Sequence, residues 1–196
     1  MQKIFPGPAF YCWRQTPLAA VALFWGIYRG QPKIVRVLVY PPEVPNAGQI
    51  KADLKNSQAG RCPEIDHIME QIEAFLKGAA MRFSLDSILL DLCSDFQQRV
   101  LLAEHGIPRG QVSTYQRLAA FTGNPTAARA VGRTLATNPF PLIIPCHRAI
   151  RADYTLGGFQ GGLPMKRALL EMEGIAFDKA GRVVVDEFFY APGPGR

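Results

Sequence analysis

Cysteine is scarce in this 196-residue chain and nowhere clustered. Cys12, Cys62, Cys93 and Cys146 lie far apart, and no CxxC occurs. That pattern excludes a disulfide scaffold and makes reduced thiols in an intracellular protein the expectation. Cys62 and His67 could form half of a metal site, but no second pair with recognisable spacing follows, so no metal is expected. Cys12, Cys62 and Cys93 read as buried structural thiols. Long hydrophobic runs are missing too. The most apolar stretch, Leu18–Tyr28, is too short to cross a bilayer, and its aromatic and β-branched content predicts a buried strand. Met1 to Trp13 lacks the basic-then-apolar order of a secretory signal. There is no internal repeat, no long low-complexity tract and no charged tail. A membrane partner is therefore not expected.

The hydrophobic fraction, 48%, is ample for a core, and the length suits one domain or two small ones. The formal charge of +6 favours a polyanionic partner, nucleic acid first. Many basic proteins bind no nucleic acid, so charge alone decides nothing.

The first half is predicted to be β-rich. Ala9–Gln15, Leu18–Tyr28 and Lys33–Tyr40 read as strands, punctuated by Gln15-Thr16-Pro17 and Arg29-Gly30-Gln31-Pro32, as in an antiparallel meander. Pro41 to Arg61 reads as loop. From Pro63 to Lys77 the residues Ile65, Ile68, Met69, Ile72, Phe75 and Leu76 share one helical face, and Gly78 supplies a stop. A small α/β unit is thus expected at the start, over residues 1–88. Ser87–Leu92 is a further strand candidate.

The second unit, residues 89–196, is expected to be mostly helical. Ser94 and Gln97 have capping-box spacing, Phe96, Val100 and Ala103 line one face, and Gly106-Ile107-Pro108 ends the helix. Ser113 and Gln116 repeat that spacing and open a helix through Phe121. Thr122-Gly123 stops it, with Asn124 as the next N-cap and Pro125 at the first helical position. A helix through Ala136 follows, which makes a helix-turn-helix. Ala128, Val131 and Leu135 face inward. Arg129 and Arg133 share another face near Thr126, and Ala127, Ala130 and Gly132 keep the helix narrow enough for a DNA groove. An ordinary solvated basic face fits the same residues. Pro164 opens a last helix that Glu173-Gly174 ends. Arg182–Phe189 reads as a strand or hairpin arm, and Ala191 to Arg196 as a frayed tail.

The chemistry points to Ile144-Pro145-Cys146-His147-Arg148. A thiol at its ordinary pKa of about 8.5 is mostly protonated at neutral pH, so a nucleophilic Cys146 needs a partner that takes its proton. His147 is adjacent, directly or through water, and a carboxylate is wanted to orient the imidazole. Several acids are available, Glu173 among them. A buried thiol beside a surface His-Arg pair fits these residues equally well.

Three longer segments go beyond spacing. Ile107-Pro108-Arg109-Gly110-Gln111-Val112-Ser113-Thr114-Tyr115, then Gly123-Asn124-Pro125-Thr126-Ala127-Ala128-Arg129-Ala130-Val131-Gly132, then Asn138-Pro139 with Ile144-Pro145-Cys146-His147-Arg148, closely resemble the O6-alkylguanine-DNA alkyltransferases. Leu169-Leu170-Glu171-Met172-Glu173-Gly174 continues the match, which runs from about Leu90 to Gly174.

The resemblance implies an RNase H-like α/β N-terminal domain and a helical C-terminal domain carrying the helix-turn-helix and active-site loop. It implies that Cys146 takes the alkyl group from guanine O6 as a thioether. His147, through water, and Glu173 would form the activating relay. Tyr115 would bond and protonate the flipped guanine at N3. Arg129 would fill the space the nucleotide leaves, with Thr126, Ala127, Gly132, Arg133 and Tyr115 against DNA. Asn138 would brace the turn before the active site. The Cys146 and Ala149 carbonyls would accept from the guanine amino group, and Gly157, Phe159 and Gln160 would form the pocket loop.

The implied partner is double-stranded DNA containing O6-alkylguanine, approached in the minor groove by a monomer in the cytoplasm, or the nucleus of a eukaryote. No cofactor is implied. Phe159 and Gln160 stand where many relatives have tyrosine and serine, and Gly157 matches relatives that admit bulky substituents. An alkyltransferase-like binder would lack Cys146. A helix-turn-helix regulator leaves Pro145-Cys146-His147-Arg148 unexplained, and a cysteine hydrolase would need an oxyanion hole.

Overall fold

The computed structural model describes residues 10–42 and 57–192. The chain divides into two compact units with their boundary between Leu92 and Cys93. Both are mixed α/β. No helix among the described residues is long and apolar enough to cross a membrane.

In the first unit, β1 (Phe10–Gln15), β2 (Ala20–Tyr28) and β3 (Gln31–Tyr40) form the expected antiparallel meander. The β2–β3 turn needs positive φ at Arg29 (50°) and Gly30 (76°), and at the second of these glycine supplies it without strain. Ala9 and residues 43–56 of the predicted loop lie outside the described residues. Gln58-Ala59 is a correction: it forms β4, parallel to β1, and the sheet order is β3-β2-β1-β4. Two residues are too few to show an alternation, so nothing in the sequence marks them.

Helix α1 (Pro63–Leu76) has proline in its first turn and buries all six residues of its predicted apolar face. Gly78 ends that segment at φ 98°. Ser87–Leu92 is not a strand. Its two ends belong to 3-10 turns, Leu85–Ser87 and Leu90–Leu92, and between them Ile88 makes a single bridge, to Ile34. The Ser84 side chain accepts from the Asp86 amide and curls the chain before a strand can form.

The second unit holds α2 (Asp95–Gly106), α3 (Tyr115–Phe121), α4 (Ala128–Ala136) and α5 (Gly162–Met172). Both arms of the Ser94–Gln97 capping box are made. The second box is not made; a single cap one residue further on takes its place. Thr114 caps α3, accepting from the Arg117 amide at 3.1 Å, because the Ser113 hydroxyl is turned the other way to donate to the Phe189 carbonyl at 2.7 Å. Helix α4 starts later than Asn124-Pro125 predicts. Those residues form a turn closed by Ala127 N–H to the Asn124 carbonyl, 3.0 Å, and the Asn124 side chain accepts from Thr126 instead of capping. Of the expected inward face of α4, Val131 and Leu135 are buried and Ala128 is half-buried. Of the expected arm Arg182–Phe189, only Val183–Val184 is a strand; this β8 pairs antiparallel with β7 (Ala176–Phe177).

One short ladder positions the chemistry. β5 (Ser113–Thr114) pairs in parallel with β6 (Ala149–Ile150), in the register Ser113↔Ala149 and Thr114↔Ile150. Tyr115 leaves the end of β5, and Cys146–Arg148 form a 3-10 turn that enters β6. Val112, Ile150, Leu170, Ile175 and Val183 pack into one cluster beneath the ladder.

Candidate active site around Cys146

The loop before Cys146 is held from within. Asn138 donates through Nδ2 to the Ile144 carbonyl at 3.0 Å and accepts the Phe140 amide on Oδ1, also at 3.0 Å. Leu142 sits at φ 73°, a left-handed conformation that the buried loop around it must hold in place. Cys146 itself is 5% exposed. Burial pushes its thiol up to about 11; a hydrogen bond from Asn138 and the charge of Lys166 act in the opposite direction, and the charge of Glu104 adds to the rise.

His147 and Arg148 are both buried, which removes the reading of a surface pair. They converge on Glu173, just past the end of α5. His147 Nε2 lies 3.0 Å from Glu173 Oε1. Arg148 donates through Nε to Oε2 at 2.8 Å and through Nη2 to Oε1 at 2.7 Å, a bidentate pair, and its Nη1 donates to the Ile107 carbonyl at 2.6 Å. Burial alone would raise the Glu173 carboxyl, but the hydrogen bonds and charges of His147 and Arg148 prevail and hold it at about 2. Burial pushes His147 down, against its bond to Glu173. The imidazole is therefore neutral at neutral pH. With an ionised carboxylate opposite Nε2, that nitrogen must carry the proton, which leaves the basic lone pair on Nδ1.

Tyr115 is raised to about 12, by burial first and then by the charges of Glu104 and Cys146. It is a proton donor, not a base, at neutral pH. Gly157 (φ 67°) gives its hydroxyl room: a Cβ there would meet the Tyr115 Oη at 2.6 Å. The glycine loop borders a cleft of about 360 Å³ that is lined in part by Arg151, Leu156, Gly157 and Phe159. Phe159 presents its ring to His147, centroids 6.3 Å apart and nearly perpendicular. Gln160 is exposed. The Ala149 carbonyl already accepts from Lys166 Nζ at 2.6 Å.

Arg129, Arg133 and Thr126 are exposed on or just before α4, with Ala127 and Gly132 half-buried. Tyr115 and Gly132 are neighbours, since a Cβ on Gly132 would lie 3.9 Å from Tyr115 Cδ1. The structure thus joins Cys146, His147, Glu173, Asn138 and Tyr115 around one turn, with α4 beside Tyr115.

Two buried charged residues escaped the sequence reading, Lys166 and Glu104, each 0% exposed. A signal existed for both. Lys166 shares the apolar face of Leu169 and Leu170, and Glu104 shares that of Val100 and Leu101, at spacings of three and four residues. A charge on the buried stripe of a helix marks a residue held there for a reason.

Known proteins resemble this chain. Residues 95–175 match the family model for the 6-O-methylguanine DNA methyltransferase DNA-binding domain. The methylated-DNA–protein-cysteine methyltransferase of Methanothermobacter thermautotrophicus is 42% identical over 114 residues, 58% of this chain and 64% of that protein's length. The protein of that name from Mycobacterium leprae is 39% identical over 132 residues, 65% of this chain and 78% of its own length. The crystal structure of Mycobacterium tuberculosis OGT in complex with DNA superposes with a TM-score of 0.67 at 29% identity, covering 85% of this chain and 93% of that one. A structure of the Mycobacterium tuberculosis O6-methylguanine methyltransferase gives 0.66 at 30% identity, covering 84% and 92%. With its cysteine-centred turn and this likeness over most of the length of those structures, the chain belongs to the methylated-DNA–protein-cysteine methyltransferase family.

Proposed function

We propose that this protein repairs duplex DNA by moving the alkyl group of O6-alkylguanine irreversibly onto Cys146, once per molecule. The observation that carries the reading is the buried chain Glu173–His147 beside a thiol that needs help to ionise. Sγ attacks the alkyl carbon, the C–O6 bond breaks, and its electron pair passes into the guanine ring. The thiol proton leaves by way of His147 Nδ1, through water, with Glu173 holding the imidazole. Tyr115 gives its phenolic proton to guanine N3, so guanine departs neutral. A thioether does not hydrolyse, so there is no second turnover.

A stacked guanine cannot offer its O6 substituent to a buried sulfur. Flipping it out costs a few kcal/mol. Helices α3 and α4 would act as the helix-turn-helix, α4 entering the minor groove with Thr126, Ala127, Gly132 and Arg133 against DNA and Arg129 in the vacated stack. The first unit would correspond to an RNase H-like domain, with a monomer acting on each lesion. The flipped base would lie along the glycine loop, where the Cys146 carbonyl is the better acceptor, because Ala149 is already engaged by Lys166.

The experiment is to incubate the protein with duplex DNA carrying O6-methylguanine and take its intact mass. A gain of one methylene unit per molecule, reaching one equivalent and stopping, supports transfer. Continued turnover, or no adduct, rejects it.

Gly157 gives a second expectation. A methyl there must displace the Tyr115 hydroxyl and adopt a left-handed backbone, at roughly 1 kcal/mol for the backbone alone. Gly157→Ala is expected to slow transfer at least tenfold while leaving the fold intact. Single-turnover rates with Gly157→Ala equal to the parent would show that the Tyr115 position is not needed.

A further inference from the structure

Glu104 has no part in the relay, yet it is buried beside it. It occupies the last turn of α2, and neither carboxyl oxygen has a hydrogen-bond partner among the described residues. An ionised carboxylate there lacks water and stands at the negative end of a helix dipole. A group so costly to keep is rarely idle.

Its surroundings are charged. Helix α2 packs against the Cys146–Arg148 turn. The cations acting on Glu104 are Lys166 of α5 and Arg148 of the turn, and the Ala149 amide is turned toward it, short of hydrogen-bond geometry. Arg148 is already committed to Glu173 and the Ile107 carbonyl. Among the described residues Lys166 is not committed to any carboxylate. Its Nζ donates to two neutral carbonyls, Ala149 at 2.6 Å and Gly158 at 3.3 Å. The same ammonium acts on Cys146, and Glu104 acts on both Cys146 and Tyr115. Arg151 is the other cation acting on Tyr115 and Lys166. Two acids therefore face one ammonium in a cluster closed to water.

We propose that Glu104 and Cys146 compete for the Lys166 ammonium, so that the thiolate forms as Glu104 takes up a proton, and Glu104 thereby sets the pH range in which the acceptor is armed. The inference rests on Cys146 being the alkyl acceptor. With Glu104 ionised, the negative charge opposite Lys166 is on the carboxylate and the thiol stays protonated; with Glu104 protonated, that charge can form on Sγ. Once sulfur is alkylated, the thiol's proton, released by way of His147 and water, restores the Tyr115 hydroxyl that protonated guanine. The thiol's proton has then in effect reached the leaving base, and Lys166 no longer faces a thiolate. Glu104 is a positioning residue in this scheme, acting on the reaction through charge. Burial, which raises its carboxyl to about 8, brings the exchange near neutral pH.

The test reads the thiol without DNA. Iodoacetamide labelling of Cys146 in the full chain is followed by peptide mass spectrometry across pH. In Glu104→Gln the competitor is permanently neutral, so the labelling midpoint is expected to fall by about one unit or more, a tenfold gain in thiolate below the midpoint. Lys166→Met removes the shared cation and is expected to raise the midpoint by a similar amount. If Glu104→Gln does not fold, Lys166→Met still decides. An unchanged midpoint in whichever variant folds, or an upward shift in Glu104→Gln, overturns the proposal. Failure of methyl uptake from DNA would instead count against the acceptor role, since the labelling midpoint is independent of it.

Discussion

Cys146→Ser is expected to take up no alkyl group from O6-methylguanine DNA while binding the same duplex with unchanged affinity. The asymmetry follows from what the sulfur does. A hydroxyl of this size fills the same buried space, so the Asn138 brace and the Ile144 carbonyl contact stay in place. What is lost is a soft nucleophile that can be ionised at all near neutral pH. The thiol is already pushed up to about 11 by burial, and a serine hydroxyl starts far higher, beyond the reach of a neutral imidazole and one lysine. Intact mass spectrometry reads the first outcome, with the parent protein reaching one equivalent and the variant none over many parental half-times. Fluorescence anisotropy on lesion duplex reads the second. Methyl uptake by Cys146→Ser would move the acceptor to Cys12, Cys62 or Cys93 and sink the mechanism. Loss of binding would mean that the serine had disturbed the fold.

Glu173→Gln is expected to be the most destabilising polar substitution in the second unit, at about 3–5 kcal/mol. Its carboxylate anchors a bidentate arginine and a histidine, all inside the protein. An amide keeps the shape but leaves the buried Arg148 charge without a counter-ion. The same carboxylate sets the acid limit of the fold. Its pKa is about 2 in the folded state against an ordinary 4.5, so its contribution is complete above 4.5 and is lost as pH falls from there toward 2, in all about 3 kcal/mol. Glu104 works in the opposite sense. Its carboxyl is raised to about 8, so the folded state binds the extra proton, and stability is lost as pH rises from 4.5 through 8. Together they place the stability maximum of this unit on the mildly acid side of neutrality. Guanidinium unfolding at several pH values measures both limbs. In Glu173→Gln the acid limb should flatten, and in Glu104→Gln the neutral-to-alkaline one. A Glu173→Gln variant with parental stability and an unchanged acid limb would show that the ion cluster does not hold the turn.

The local signals were legible along the chain. The six apolar residues on one face of α1, the Ser94–Gln97 box, the Gly78 and Gly123 stops and the three-strand meander all arise from interactions within a few residues or from strict periodicity. The motif around Cys146 was legible for the same reason, because its residues are contiguous. Tertiary structure decided the rest. Thr114 caps α3 in place of Ser113 because Phe189, far along the chain, takes the Ser113 hydroxyl. Gln58-Ala59 is a strand only because β1 offers it an edge. Glu173 is the carboxylate opposite His147 because the end of α5 meets the turn that enters β6, which no spacing specifies. The β5–β6 ladder places Tyr115 near Cys146, and the bare backbone at Gly157 lets the tyrosine hydroxyl settle where a side chain would stand. Lys166 and Glu104 could be seen in the sequence only as charges out of place on apolar faces. That both belong to the cluster around one thiol became visible only when two helices and a turn, separated by many residues, closed over it, because burial and electrostatics depend on distance in space and not along the chain.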